Sequence, residues 1–212
     1  MVPLVTRTVQ KKKVAATSKG RPQGRRSSPA ATDAIAYLKA DHRTVEKLFK
    51  AFEKAGDKAF RTKRKIVDDI IRELSQHAAV EEQFFYPAAR REVPACNADV
   101  LEAIEEHHVA KWLLSELTRT DAADERFDAK VTVLIENVRH HVEEEEHDLF
   151  PEIRLGMGRK ALLDLGQQLA EGKALAPTRP HPRSPDEPPG SLIAGAVAGV
   201  VDRARSAVTS KS

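Results

Sequence analysis

Two stretches of eleven residues decide how this chain folds: HAAVEEQFFYP at residues 77–87 and HVEEEEHDLFP at residues 141–151. Each opens on H-x3-E and closes on a proline six residues after the glutamate, giving His77, Glu81 and Pro87 in one and His141, Glu145 and Pro151 in the other. On a helix, residues i and i+4 share a face with Cβ atoms roughly 5–6 Å apart. An imidazole and a carboxylate at that spacing can therefore converge on one or two metal ions. One such pair says little in a glutamate-rich chain, where it is commonly an exposed i,i+4 contact.

Working outward from these stretches, the apolar spacing keeps a helical period, with no alternating run bounded by turn signals. A first helix is expected from the Thr32/Asp33 cap to about Ala55, stopped by Gly56, with Ile35, Leu38, Val45, Leu48, Phe49 and Phe52 on its apolar face. A second runs from about Lys58 to Tyr86 and is ended or kinked by Pro87. The third starts near Asn97 and reaches about Arg119, with Leu101, Ile104, Leu113, Leu114 and Leu117 on one side. The fourth spans about Asp124 to Phe150, ahead of Pro151, and a shorter helix follows from about Arg159 to Ala170. Four long helices with short connections make an all-α, antiparallel up-down four-helix bundle. Phe84, Phe85, Trp112 and Phe150 read as core residues, and Tyr86 as a neighbour of any centre.

The other two long helices strengthen the pattern. The first carries Asp41-His42 and the third Glu106-His107, and apolar residues follow each histidine at +6, +7 and +10: Leu48, Phe49 and Phe52, then Leu113, Leu114 and Leu117. His42 lies 35 residues before His77, and His107 lies 34 before His141. The body is thus two copies of a helix pair, each offering one His from its first helix and H-x3-E from its second. Pairing the copies about a pseudo-twofold axis brings four His and two Glu to the centre. Reading His42 or His107 as ordinary core histidines leaves that coincidence unexplained. A helix cannot turn all of Glu143 to Glu146 inward, so Glu143, Glu144 and Glu146 are expected in solvent. His108, His140 and His147 are register alternatives; only His141 with Glu145 keeps the distance to proline seen at Glu81 and Pro87.

Composition bounds the rest. Of 212 residues, Met1 to Ala31 hold eight Lys/Arg and no acid, so the basic leader is expected to be disordered. Thr32 to Gly172 hold 21 basic and 29 acidic residues, a body of net charge −8 long enough to bury a core. Six of the twelve prolines fall between Pro177 and Pro189, which reads residues 173–190 as a linker, and residues 191–212 form a short, small-apolar segment with Gly195 and Gly199 at i,i+4. The single cysteine, Cys96, excludes an intramolecular disulfide and any Cys-based zinc site, and fits a reducing compartment. The longest apolar run, Leu192 to Val201, is half of the roughly 20 residues that cross a bilayer. No apolar core follows the first charges, so no secretory signal is expected and a cytoplasmic location is the leading reading, beside an organellar transit peptide suggested by the Arg/Ser/Thr-containing leader.

At Asp41-His42-x3-Glu46, His77-x3-Glu81, Glu106-His107 and His141-x3-Glu145 the sequence resembles the hemerythrin HHE cation-binding family, over about Thr32 to Pro151. The resemblance implies a bundle holding a non-haem di-iron centre, with Glu81 and Glu145 bridging two iron ions and His42, His77, His107 and His141 as terminal ligands. Glu46 is a seventh candidate ligand. The oxygen-carrying members use H-x3-E, H-x3-H and H-x4-D. Here Lys111 stands four residues after His107, and the last motif is H-x3-E, with Glu146 five residues after His141. A carboxylate in place of an imidazole shifts a site toward harder, more highly charged ions. That favours ferric iron, and with it reaction with O2, NO or peroxide, or iron or oxygen sensing, over reversible oxygen carriage. Whether the centre turns over its ligand, as in peroxide consumption, stays open at this stage. Lys111 reads as a snorkelling surface residue, with an inward proton donor as the alternative.

Two other classes compete: a metal-free helical interaction module, and a nucleic-acid-associated protein acting through its leader. The leader has basic clusters but no aromatic residue among them and no binding motif, so it supplies at most nonspecific, salt-sensitive contact with an anionic partner. Removing Met1 to Ala31 is expected to abolish any salt-dependent binding to DNA, RNA or anionic vesicles. Equal DNA affinity with and without the leader, measured by fluorescence anisotropy across a salt series, would place the binding surface on the bundle instead.

Overall fold

A computed structural model describes residues 32–183, so the expected disordered leader, most of the proline-rich linker and the apolar C-terminal segment lie outside the described residues. Helix α1 spans Ala34–Glu53 and α2 Phe60–Val80; a π-helical turn at Glu81–Phe85 leads directly into α3, Tyr86–Glu92. After a 3₁₀ turn at Pro94–Cys96, α4 spans Asn97–Leu117 and α5 Phe127–Glu144, and a second π-helical turn at Glu145–Leu149 leads into α6, Phe150–Gly156. Helix α7, Arg159–Leu175, closes the described chain. Helices α1 and α2 pack as one pair and α4 and α5 as the other, and α7 lies against α1 and α2. The result is an all-α, up-down four-helix bundle with a fifth helix along one side. Among the described residues there is no strand, and no helix is long and apolar enough to cross a membrane.

Both prolines act differently from the sequence expectation. A proline lacks the N–H that bonds back to residue i−4, and its ring clashes with that carbonyl, so the second helix was expected to end or kink at Pro87 and the fourth to end before Pro151. Instead the chain widens into a π turn: Tyr86 N–H donates to the Glu81 carbonyl and Phe150 N–H to the Glu145 carbonyl, five residues back. Pro87 and Pro151 then sit in the first turn of α3 and α6, where no i−4 partner is required. Each helix therefore continues past its proline.

Asp33 starts α1 by accepting the Ala36 N–H at 2.9 Å, and Arg154 of α6 binds the same carboxylate at 3.0 Å. Leu38 and Ile35 below, and Val45, Phe49 and Phe52 above, follow helical spacing and are buried. Two apolar clusters result. One gathers Leu38, Val80, Phe85, Tyr86, Val100, Phe150, Ile153 and Leu165; the other gathers Val45, Phe49, Leu74, Leu114, Leu117, Phe127, Leu134 and Val138. At about 1.5–3 kcal/mol for each fully buried large side chain, these clusters carry the fold.

Helix α4 departs from the expected face. Leu101 and Trp112 are 44% and 49% exposed, because α4 has apolar residues on more than one side and only Ile104, Leu114 and Leu117 of the expected set are fully in the core, with Leu113 half-buried. Arg183 lies over the Trp112 ring, 5.9 Å from its centroid. Helix α7 also runs five residues beyond Ala170 and into the expected linker. Gly172 does not stop it, because the glycine is where the Phe84 ring packs, 2.4 Å from any added Cβ.

Gly166 sets how closely α7 meets α1: a Cβ there would lie 2.2 Å from the Thr32 carbonyl oxygen and 2.9 Å from the Ala34 nitrogen. In a free helix Gly→Ala gains about 1 kcal/mol. Gly166→Ala is expected to do the opposite and lower the melting temperature, whereas Gly56→Ala, whose Cβ meets nothing within 4 Å, leaves it unchanged or raises it. Thermal unfolding by circular dichroism checks this, and equal melting of wild type and Gly166→Ala would show that α7 is not docked at this point.

Candidate metal centre

Between the two apolar clusters lies one layer of buried polar side chains. Helix α1 supplies His42, α2 supplies His77, α4 supplies His107 and α5 supplies His141, while Glu81 and Glu145 open the two π turns; all six are at least 95% buried. The α-helical stretch up to each glutamate keeps it on the same face as the histidine four residues earlier. The π turn that follows reaims the chain so that the next aromatic residue closes the floor of the layer. Phe150 stacks on His42 with centroids 5.8 Å apart, and Tyr86 packs on His107 at 5.5 Å.

The histidines meet in two pairs. His42 Nε2 and His77 Nε2 are 3.2 Å apart, and His107 Nε2 and His141 Nε2 are 3.1 Å apart. Glu81 Oε2 lies 3.0 Å from His77 Nε2 and 3.5 Å from His107 Nε2. Glu145 Oε2 lies 3.3 Å from His42 Nε2 and 3.6 Å from His141 Nε2. Each carboxylate thus spans both pairs.

The other nitrogen of each ring faces outward to a carboxylate. His42 Nδ1 meets Glu146 at 2.9 Å, His107 Nδ1 meets Glu82 at 2.9 Å, His141 Nδ1 meets Glu106 at 2.8 Å, and His77 Nδ1 lies 3.6 Å from Asp41. The pattern is crosswise. The acid before the first histidine of a copy backs the second histidine of that copy, and the acid after each bridging glutamate backs the first histidine of the other copy. At His42, His107 and His141 a carboxylate within hydrogen-bond distance holds the proton on Nδ1, so the Nε2 lone pairs face inward, while His77 Nδ1 is turned to Asp41 beyond that distance.

Lone pairs at that separation repel one another, and no hydrogen bond reaches either oxygen of Glu81 or Oε2 of Glu145 in this buried layer. Such a set is costly unless a cation lies among it. Metal–nitrogen bonds of about 2.1 Å at right angles would hold two nitrogens about 3 Å apart, close to the spacing found. The donors fall into two groups of metal-binding size, His42, His77, Glu81 and Glu145, and Glu81, His107 and His141, which share Glu81. The residues therefore fit two adjacent ions.

Electrostatics agrees with this geometry. Burial opposes charge on His77, but Glu81 and Asp41 outweigh it and lift its pKa to about 10. Burial and the neighbouring Glu145 push Glu81 up, while His141 and His42 overcome burial at Glu145 and hold it low. Burial and the facing His141 push His107 well down. Positive charge is demanded at the centre, and a metal ion would displace the proton from His77. Tyr86, buried and facing Glu145 and Glu81, stays protonated and donates to Glu145 Oε1 at 3.0 Å.

The structure brings His42, His77, Glu81, His107, His141 and Glu145 together and leaves Glu46 outside. Glu46 sits on the α1 surface, bound by Arg139 of α5 at 3.0 Å and Lys50 at 3.3 Å, because its helical position turns it toward the α1/α5 edge. Glu146 corrects the expectation of a solvated run: only half-buried, it still reaches His42 and is met by Lys39 at 3.1 Å. Lys111 is buried, with its ammonium on both oxygens of Glu82 at 3.0 and 3.1 Å. Glu82 was missed entirely, and so was Lys173 of α7, which pairs with Asp41 at 2.7 Å. The repeated Glu-Glu of 81–82 and 145–146 was the available signal.

Comparison with known proteins points the same way. The family model of the hemerythrin HHE cation binding domain matches residues 33–153. A hemerythrin-like protein of Schizosaccharomyces pombe is 25% identical over 166 residues, covering 78% of this chain and 81% of the relative. The crystal structure of a hemerythrin HHE cation binding domain-containing protein from Mycobacterium kansasii superposes with a TM-score of 0.58 at 23% identity, over 68% of this chain and 86% of that one, a likeness of fold.

Glu81→Ala and Glu145→Ala are each expected to lose both metal ions, since each carboxylate spans both histidine pairs. Glu146→Gln is expected to weaken metal affinity about 10- to 100-fold through His42, and Glu46→Ala to leave it unchanged. Metal content after dialysis against a graded chelator separates these outcomes; equal losses in Glu46→Ala and Glu145→Ala would overturn the assignment.

Proposed function

The chain belongs to the hemerythrin HHE cation-binding family, and on that footing we propose that its buried layer is a non-haem di-iron centre that binds or reacts with O2, NO or peroxide, or senses iron or oxygen through that centre. The observation that carries this reading is the inward convergence of four imidazole Nε2 atoms and two buried carboxylates, with every Nδ1 turned to a carboxylate.

Bound iron would supply an electron-transferring, Lewis-acidic position for a small ligand. The chain itself sets the ligand's size. A cavity of about 30 Å³ adjoins the histidines, lined also by Val45, Leu74, Ala110, Leu114, Val138 and Lys111. That space suits a water-sized or diatomic molecule and excludes larger substrates. Its wall is apolar on the side of the histidines toward Leu74 and Leu114, and Lys111 brings a positive charge to its edge while held by Glu82. The Tyr86 hydroxyl fixes one oxygen of Glu145 and leaves the other facing the histidines. Lys111, which stands where the oxygen-carrying pattern has a histidine, turns to Glu82 and leaves the centre one imidazole short of that pattern, which supports reaction or sensing over reversible carriage.

Full-length protein purified aerobically from iron-replete cells is expected to hold about two iron ions per chain, one for each histidine pair, and to absorb in the near ultraviolet through charge transfer to ferric iron. Metal analysis and the absorption spectrum check this. Stoichiometric zinc without iron would overturn the iron assignment, and a stable, reversible oxygen complex of the reduced protein would overturn the preference for reaction or sensing.

A further inference from the structure

Three surface clefts reach the polar layer, and their charges differ. One, beside His42, is lined by Arg43, Lys47, Lys50 and Arg139 together with Glu46 and Glu146. Another, beside Glu82 and Tyr86, is lined by Arg90 and Arg91. The third lies between α4 and α5, has a volume of about 200 Å³, and is lined by Asp99, Glu102, Glu106, Glu144, Glu145 and Asp148, with no lysine or arginine among its lining residues. Its lining includes Glu145, whose Oε2 is buried and without a hydrogen-bond partner, and His141.

At the rim of this cleft stands the pair that the sequence offers as an alternative register on α5. His140 Nε2 lies 3.3 Å from Glu144 Oε1, one helical turn on, and 3.8 Å from Glu106 Oε1 across on α4. The three side chains present ligand atoms within 4.8 Å of one another. Glu106 faces both ways, since its Oε2 holds His141 Nδ1 at 2.8 Å while Oε1 faces His140. The rim is thus one carboxylate away from a histidine of the buried centre.

The pseudo-twofold axis provides a comparison. Asp41 is the counterpart of Glu106, but its outward side is closed: Lys173 of α7 binds it at 2.7 Å and also binds Glu73 at 3.2 Å. Helix α7 packs over the α1/α2 side. One of two equivalent approaches is therefore plugged by a helix and neutralised by a lysine, and the other keeps its acids and has a histidine.

We propose that Glu106, His140 and Glu144 form an outer capture site for a divalent first-row cation such as Fe(II), from which the acidic cleft between α4 and α5 delivers the ion to the buried centre. One imidazole and two carboxylates, with water completing the shell, suit Fe(II) or Mn(II). A cleft lined by one sign of charge concentrates ions of the opposite sign and speeds their arrival. The delivery step rests on the di-iron reading of the buried layer; the capture site itself does not.

The test uses the full-length protein and the double variant His140→Ala/Glu144→Gln, both surface changes, with Glu143→Gln as a control from outside the cleft. Mn(II) is titrated into metal-loaded protein and followed by electron paramagnetic resonance. Fe(II) uptake by metal-stripped protein is followed anaerobically by stopped flow. Wild type and the control are expected to bind one Mn(II) that the double variant does not. The double variant is expected to load iron about tenfold more slowly and to reach the same final occupancy of the buried centre. Equal Mn(II) binding in wild type and double variant overturns the capture site, and Fe(II) uptake by the double variant at the wild-type rate overturns the delivery route. If the wild-type centre takes up no iron, the di-iron reading fails, and loss of Mn(II) in the double variant still upholds the capture site.

Discussion

The rest of this structure depends on the carboxylate at the outer nitrogen of each central histidine. With Nδ1 held by Glu82, Glu106 or Glu146 and, at His77, turned to Asp41, the four Nε2 atoms are left facing one another beside two buried glutamates. Neutral rings and carboxylates only accept, so the layer is satisfied by taking up protons, as at His77, or by a cation. Breaking or leaving unpaired a buried charge costs about 3–5 kcal/mol, and the apolar clusters above and below must carry that cost until a cation arrives. Folding and metal binding are therefore linked, with the filled layer the more stable one.

The fold serves this layer through its two π turns. An unbroken α-helix across Pro87 or Pro151 would set the proline ring against the carbonyl four residues earlier. Widening the helix just after Glu81 and Glu145 removes that clash and turns Tyr86 and Phe150 under the histidines. The prolines that look like helix ends are thus part of how each glutamate and each aromatic ring is aimed. π turns of this kind concentrate at functional sites because they redirect side chains without ending the helix.

Much of this was legible because helical period and motif spacing are local. The four helices, the Asp33 cap and the six inward residues follow from i,i+4 geometry and from the duplication of the helix pair. What was not legible depends on contacts between helices. Glu46 has the same spacing from His42 as Glu81 has from His77, yet the rotation of α1 gives it to Arg139. Glu146 looked like one acid in a solvated run, and only the approach of α1 turns it toward His42. Trp112 shows the opposite failure: α4 is apolar on several sides, so its pattern could not say which side meets its neighbours. The packing of Phe84 against Gly172 in α7 is likewise a contact between helices that no local rule reveals.

The two copies have diverged around a conserved geometry, and the divergence is one of charge. The position four residues after the first histidine is Glu46 in one copy and Lys111 in the other; Glu46 is drawn to the surface by Arg139, while Lys111 is drawn inward by Glu82. The outer carboxylates differ in the same way. Glu82 is neutralised by a buried lysine, Glu146 by a half-exposed one and Asp41 by α7, whereas Glu106 faces His140 and an acidic cleft. A carboxylate whose charge is compensated donates less to its imidazole than one that is not. Two ions held by like histidine pairs would thus sit in unequal fields, with the His107 and His141 pair divided between a buried carboxylate compensated by Lys111 and one that faces an acidic cleft. The inner shell is symmetric because the helix pair was duplicated, and the inequality comes from the elements added around it.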